Sequence, residues 1–355
     1  MDTERIIFMK KRILTVALVG GIALALCACD EEYEEYDEAY EYYSDEYSDD
    51  GTYEQSDEHS DDDNYSAYDQ SEEYSYDDSD SSYYQFDGYQ SYSSYGSGDY
   101  PFDTSLGSAK ELDGNIAVIS IFVNDATTNW NFENSKDAET EGVVFNNIKI
   151  ACEYIEDVSK DYGRNVHFIY DWEEYPELAY NLDLDADYRM IDDYDYDMDS
   201  VMWEAIDSNI PTGDILNKVN ATQAIYLMNF NTPASNNITS CTRRHYDGMP
   251  YPYEMCMMFV RSEGELEVPA DYAHEMLHTF GAVDLYTASD VSQEYVDYAR
   301  QTRLNDIMRT SEDPRTGEFH YDSIKNEVTD ITAYYVGLTD YSETVEEWGL
   351  PRSEH

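Results

Sequence analysis

Apolar and polar positions change rhythm twice along the chain, and each change marks a different kind of segment. An apolar run covers Ile13 to Leu26 behind Lys10, Lys11 and Arg12. It is short for a membrane span and flanked as a secretory signal is. From Asp30 to about Ser105 no apolar period survives; Asp, Glu, Tyr, Ser and Gly dominate, without a Lys or Arg. Periodicity then returns. Ile116 to Val123 is apolar and β-branched, which predicts a buried strand. Ile148, Ala151, Ile155 and Val158 give Asn146 to Tyr162 a helical stripe, and Val166 to Tyr170 reads as the next strand. A helix near Gly213 to Val219 leads to strands at Ala224 to Phe230 and at Met255 to Val260. Ile324 to Val336 predicts a closing helix, with a loose tail to His355. Alternating strands and helices predict a mixed α/β sheet.

The two early segments fix a compartment and an organisation. Leu26-Cys27-Ala28-Cys29 resembles a bacterial lipobox. Residues 1–28 are then a lipoprotein signal peptide and Cys29 the lipidated N-terminus, with Met9 an alternative start to Met1. An ordinary cleaved signal or an uncleaved anchor helix are the other readings; all three put the remainder outside the cytoplasm, on the outer face of a cell membrane or secreted. Residues 29–107 cannot bury enough aliphatic surface to offset the entropy of ordering, so a disordered acidic stalk is expected. Its tyrosines allow a second reading, as a sticky contact segment. Residues 108–355 suffice for one domain with a full core, or for two lobes around a cleft; a monomer is assumed.

A formal net charge of −58 extends beyond the stalk into that domain. Nucleic-acid binding is excluded, because phosphate contacts need clustered Lys and Arg. An acidic surface favours basic or cation-bridged substrates.

The chemistry is concentrated in His274-Glu275-Met276-Leu277-His278-Thr279-Phe280-Gly281-Ala282-Val283-Asp284-Leu285-Tyr286. On a helix, residues four apart lie about 40° apart around the axis and about 6 Å along it, so His274 and His278 can grip one ion. Glu275 stands about 100° further round, suited to a water on the ion and the role of general base. Ala273, Met276, Leu277 and Phe280 supply the opposite, apolar face. Gly281 permits the turn that brings Asp284 back to the ion. Two imidazoles and a carboxylate leave a tetrahedral Zn2+ an open position, the pattern of a catalytic rather than a structural site.

These residues resemble the zincin metallopeptidases, in the metzincin-like branch where Asp replaces the third His. The pattern His-Glu-x-x-His-x-x-Gly-x-x-Asp is similar to that of snapalysin, and Leu285-Tyr286 to immune inhibitor A-type peptidases. The resemblance implies an α/β (α+β) zincin-like fold. Its mixed, mostly parallel sheet would have an antiparallel edge strand that binds substrate, an active-site helix and a small C-terminal subdomain with a Met-turn. Asn305-Asp306-Ile307-Met308-Arg309 is placed to supply that turn through Met308. Thr310 stands where many metzincins carry a Tyr, which leaves Tyr286 or Tyr321 as the oxyanion stabiliser. The implied activity is a zinc-dependent endopeptidase acting on proteins or peptides, tethered to the membrane by its lipid. A cell-wall amidase would use the same chemistry. The rival class is a non-catalytic surface lipoprotein that binds partners or cations, with a structural or degenerate zinc site.

Three cysteines remain beyond the signal. Cys241 and Cys256 flank a turn at Gly248-Met249-Pro250 and are candidates for a disulfide, or for two thiols; Cys152 reads as a buried thiol. No free cysteine precedes the domain in a manner that predicts thiol-type latency. Asp183, Asp185 and Asp187, followed by Asp192 to Asp199, allow an irregular Ca2+ site or a solvated acidic loop; Tyr188 replaces the Gly that an EF-hand needs. His167, His245 and His320 read as ordinary surface or core residues.

Overall fold

Gly114–Asn124 (β1) is buried from Ile116 to Val123, with no solvated face. A strand of that kind belongs inside a parallel sheet covered on both sides. The structure is a computed structural model and describes residues 102–191, 197–245 and 251–350. The segments expected to be a signal peptide and a stalk, with Cys29, lie outside the described residues up to residue 101.

One edge of β1 is shared end to end. Val166–Ile169 (β2) pairs with Gly114 to Ala117, and Ala179–Asp183 (β3) with Ser120 to Asn124. On the other edge lies Gln223–Phe230 (β4). Cys241–Arg243 (β5) and Met255–Phe259 (β6) complete the sheet, in the order β2-β1-β4-β6-β5. Every pairing is parallel except β5 with β6, so the sheet is mostly parallel with an antiparallel edge. A short hairpin, Arg261–Ser262 (β7) with Glu265–Leu266 (β8), follows.

Alternation along the strands divides the core into two layers. Ile116, Val118 and Phe122 share one face with Cys256 and Met258, and pack against Ser135–Asp161 (α1) through Val144, Ile148 and Ala151. Ala117, Ile119, Ile121, Met255 and Met257 face the other way, onto Met198–Asn209 (α2) and Thr212–Val219 (α3). Pro269–His278 (α4) lies on the first face against α1, burying Tyr272, Ala273, Met276 and Leu277. Gln293–Thr302 (α5), Asp330–Tyr335 (α6) and Glu343–Trp348 (α7) close that side.

Several expectations need correction. The helix expected from Asn146 starts at Ser135, where the Asn134 side chain accepts from the Lys136 N–H; its first turns are too polar to carry a stripe. The closing helix is confined to Asp330–Tyr335, because Glu327 is spent on a bridge with Asp306. The segment beyond Val336 is not loose as far as Leu350: Trp348 packs its ring against Tyr295 and Tyr298. Described structure also extends ahead of Ser108, to residue 102. Thr104–Leu106 forms a 3-10 turn, and the Ser105 carbonyl accepts from the His245 ring.

Of the two readings open for Cys241 and Cys256, a disulfide and two thiols, the structure has two thiols. Cys241 stands opposite Met257 and Cys256 opposite Thr242, and this offset of one residue sends the two sulfurs to opposite faces of the sheet. Gly248-Met249-Pro250 lies outside the described residues. Cys152 is fully buried in α1, and burial pushes its thiol up.

Candidate metal centre

The local chemistry of α4 makes a short, well-started helix. Pro269 occupies its first turn, where a missing N–H costs nothing, and Asp271 Oδ2 accepts from the Val268 N–H at 2.7 Å. Helical geometry ends after His278, and Gly281, at φ +98°, turns the chain back so that the Ala282 N–H reaches the Leu277 carbonyl. The reversal brings Asp284 under the two histidines.

His274, His278 and Asp284 converge. The two Nε2 atoms are 3.1 Å apart, and Asp284 Oδ1 lies 3.3 Å from His274 Nε2 and 3.2 Å from His278 Nε2. Each Nδ1 faces a main-chain carbonyl, Ile307 O at 2.9 Å and Ala282 O at 2.8 Å. A carbonyl can only accept, so both Nδ1 atoms carry the proton and both Nε2 atoms turn lone pairs inward. Asp284 Oδ1 is itself buried with no hydrogen-bond donor. Three lone-pair donors thus crowd one point, an arrangement that repels itself unless a cation sits among them. Tetrahedral ligands at about 2.0 to 2.1 Å from an ion are about 3.3 Å from one another, close to the spacing seen. The residues fit a small divalent cation.

With no cation among them a proton takes that place. Burial opposes a charge on His274, yet Asp284 and the Glu275 carboxylate outweigh it and push the imidazole up to about 9. Its Nε2 then carries hydrogen toward Asp284, and a cation must displace that proton. Burial likewise works against Asp284, whose carboxyl is held well below the usual carboxylate range by both imidazoles.

Glu275 is buried beside the triad and lines a cleft of about 400 Å³ with His274 and Tyr286. Its Oε2 accepts from Thr242 Oγ1 at 2.7 Å. Cys256 Sγ donates to its carbonyl oxygen at 3.4 Å. Thr242 comes from β5, so the sheet edge meets the helix at this carboxylate.

No family model, curated protein or solved structure matches this chain. Its site is therefore read from its own geometry.

Met308 is fully buried; its carbonyl accepts from the Leu285 N–H at 2.9 Å, next to Asp284. Beneath it, Asp306 accepts from the Met308 N–H and from the hydroxyls of Thr329 and Thr332. That network fixes the Ile307 carbonyl on which His274 rests. Of the two tyrosines, Tyr286 lies beside the triad, its ring 6.1 Å from that of His274. Tyr321 donates instead to Glu265 Oε2 at 3.2 Å and, among the described residues, does not line the cleft.

The acidic run does not gather for Ca2+ among the described residues. Asp183 accepts from the Asn124 amide, Asp187 holds Arg189, Asp197 caps α2, and Asp199 pairs with Arg243. Residues 192–196 lie outside the described residues. His167 meets Glu156, His245 meets the Tyr251 carbonyl, and His320 faces Asp313. Sequence reasoning missed Thr242, which reaches the site from the sheet edge, and Glu267, just ahead of α4; it named Asp306 and Arg309 only as flanks of Met308 and gave them no role.

Proposed function

We propose that this chain is a zinc-dependent endopeptidase. The observation that supports it most is the convergence of His274 Nε2, His278 Nε2 and Asp284 Oδ1 beside the Glu275 carboxylate. The resemblance of the same residues to the metzincin-like zincins points the same way, with α4 as active-site helix and Met308 as the Met-turn residue. Held by His274, His278 and Asp284, such an ion would keep room for a small molecule. A purely structural site has no use for a base next to it.

Held by those ligands, zinc would supply Lewis acidity that polarises the scissile carbonyl and acidifies water. Glu275 takes the proton of the attacking water and returns it to the leaving amine as the C–N bond breaks. Thr242 keeps the Glu275 carboxylate turned toward the cleft. Burial and the Asp284 and Glu275 carboxylates push the Tyr286 phenol up, so it stays a hydrogen-bond donor at neutral pH, as an oxyanion stabiliser must. β5 is the last strand of the sheet and carries Thr242 beside Glu275, the place at which the resembled family adds an extended peptide by main-chain hydrogen bonds. Lipid on Cys29 and the acidic segment after it would tether the enzyme to the outer membrane face.

Metal analysis and casein digestion of the wild type and Glu275→Ala test the reading. One zinc per chain in both, with digestion by the wild type alone, is expected. Zinc in both with digestion by neither would favour a non-catalytic surface protein.

A further inference from the structure

A second set of carboxylates faces the same cleft. Glu263, Glu265, Glu267, Asp271 and Glu312 line it against a single guanidinium, that of Arg309. Solvated acidic clusters are common and bind nothing, but Glu267 is not solvated: it is 8% exposed. Its Oε1 accepts from Ser240 Oγ at 2.8 Å, and its Oε2 is buried with no hydrogen-bond partner. Burial first, and then the neighbouring carboxylates of Asp271 and Glu275, push its carboxyl well above the usual range, so the cleft by itself favours a proton on the Glu267–Asp271 pair. A cationic side chain entering the cleft would take the place of that proton.

Resting on the peptidase reading above, we propose that Glu267 and Asp271 form a specificity pocket for the Lys or Arg side chain of a peptide substrate, at a position adjoining the scissile bond. The walls suit a long side chain with a charged tip. Leu266 and Phe319 line the cleft beside the carboxylates and offer apolar surface to a methylene stem. Asp271 precedes His274 by three residues on α4, about 4.5 Å along the axis, and Glu267 lies beyond the helix start. A substrate α-ammonium next to the scissile carbonyl stays by His274; a Lys or Arg side chain reaches the acids. A divalent cation is disfavoured, because among the described residues the carboxylates of Glu267 and Asp271 join no cluster of metal-ligating spacing.

The test uses full-chain, zinc-loaded protein and peptide pairs that exchange Lys for norleucine, or Arg for citrulline, one position at a time. At one position next to the cleavage site the wild-type kcat/KM should favour the charged residue about tenfold, and Glu267→Gln should bring the ratio within about twofold. The −58 net charge attracts every cationic peptide, so the change in ratio between wild type and variant is the reading. A wild-type ratio near one, or a ratio unmoved by Glu267→Gln, overturns the pocket. Asp271→Asn, which keeps an oxygen for the Val268 N–H, replaces Glu267→Gln should the latter fail to fold. Fluorescence anisotropy of the same labelled peptides on zinc-loaded Glu275→Gln separates the two readings. A preference that vanishes when Glu267→Gln is added upholds the pocket, even where the wild type cleaves neither peptide and the peptidase reading alone falls. Equal affinity for both members of each pair overturns the pocket.

Discussion

Thr242 Oγ1 lies 2.7 Å from Glu275 Oε2 and 2.9 Å from the Glu275 carbonyl oxygen, so one hydroxyl ties the sheet edge to both the side chain and the backbone of the residue assigned as base. Threonine is stiff about χ1, which makes this a fixed anchor for the carboxylate. A hydrogen bond to a charged group contributes about 1.5 to 3 kcal/mol, equivalent to about ten- to a hundredfold in rate if spent on orientation. Thr242→Val should therefore lower kcat by at least about tenfold with a small change in KM, and Thr242→Ser should restore most of it. Wild-type turnover by Thr242→Val, measured on a fluorogenic peptide, would remove the positioning role.

Asp306 acts on the triad through the chain rather than by touching it. It is fully buried and accepts from the Met308 and Thr329 N–H groups and from the Thr329 and Thr332 hydroxyls. Asp306→Ala strands those donors in the core, at a cost of about 3 kcal/mol or more. It also frees the Ile307 carbonyl that orients His274, for which a 10- to 100-fold loss of zinc affinity is typical. Urea unfolding with zinc withheld, and competition against a chromophoric chelator, read the two effects separately. Unchanged affinity in a folded Asp306→Ala protein would show that His274 needs no such support.

What the chain discloses locally was legible, and what depends on distant pairing was not. β1, β4 and β6 are continuous apolar runs because both sheet faces are covered, and runs of that kind announce themselves. The triad was legible for the same reason: one helix and the turn at Gly281 carry all three residues. α2 was hidden because Met198, Met202, Trp203 and Ile206 are its only stripe within an acidic stretch. The choice between a disulfide and two thiols at Cys241 and Cys256 turned on register, which a list of residues does not contain; one step along β5 decides which face a sulfur meets. Thr242 reaches the site across the fold from an edge strand, whereas Ile307 and Glu267 lie in segments already singled out, beside Met308 and ahead of α4. The roles of all three follow from geometry, since no residue type announces them.

Stability should fall with pH through Glu254. Its Oε2 accepts from the His245 N–H at 3.0 Å, its Oε1 is buried without a partner, and burial pushes its carboxyl well above the usual range. A raised value means that the fold prefers the protonated form. The contribution is complete below the ordinary value of 4.5 and is lost as pH rises through the folded one. Glu254→Gln removes that loss, so the variant should gain on the wild type between pH 5 and pH 8, by on the order of 1 to 3 kcal/mol. Urea denaturation at both pH values checks it; parallel pH profiles for the two proteins would mean that Glu254 is ionised at no cost.

Zinc should stabilise the folded protein through Asp284. The triad sets two Nε2 atoms and a carboxylate oxygen within 3.3 Å of one another, and the unfolded chain has no such cluster. A ligand that binds only the folded state adds RT ln(1 + [L]/Kd), about 4 kcal/mol at a thousandfold excess over Kd. For a domain of this size that amounts to a rise of about 8 to 16 °C in Tm. Asp284→Ala leaves two histidines, which hold the ion much less tightly, so most of the rise should vanish while the unliganded Tm changes far less. Thermal unfolding of both proteins with zinc and with chelator makes the comparison. Equal zinc-induced shifts in the two would show that the carboxylate is not a ligand, and with it would go the three-ligand geometry on which the catalytic reading depends.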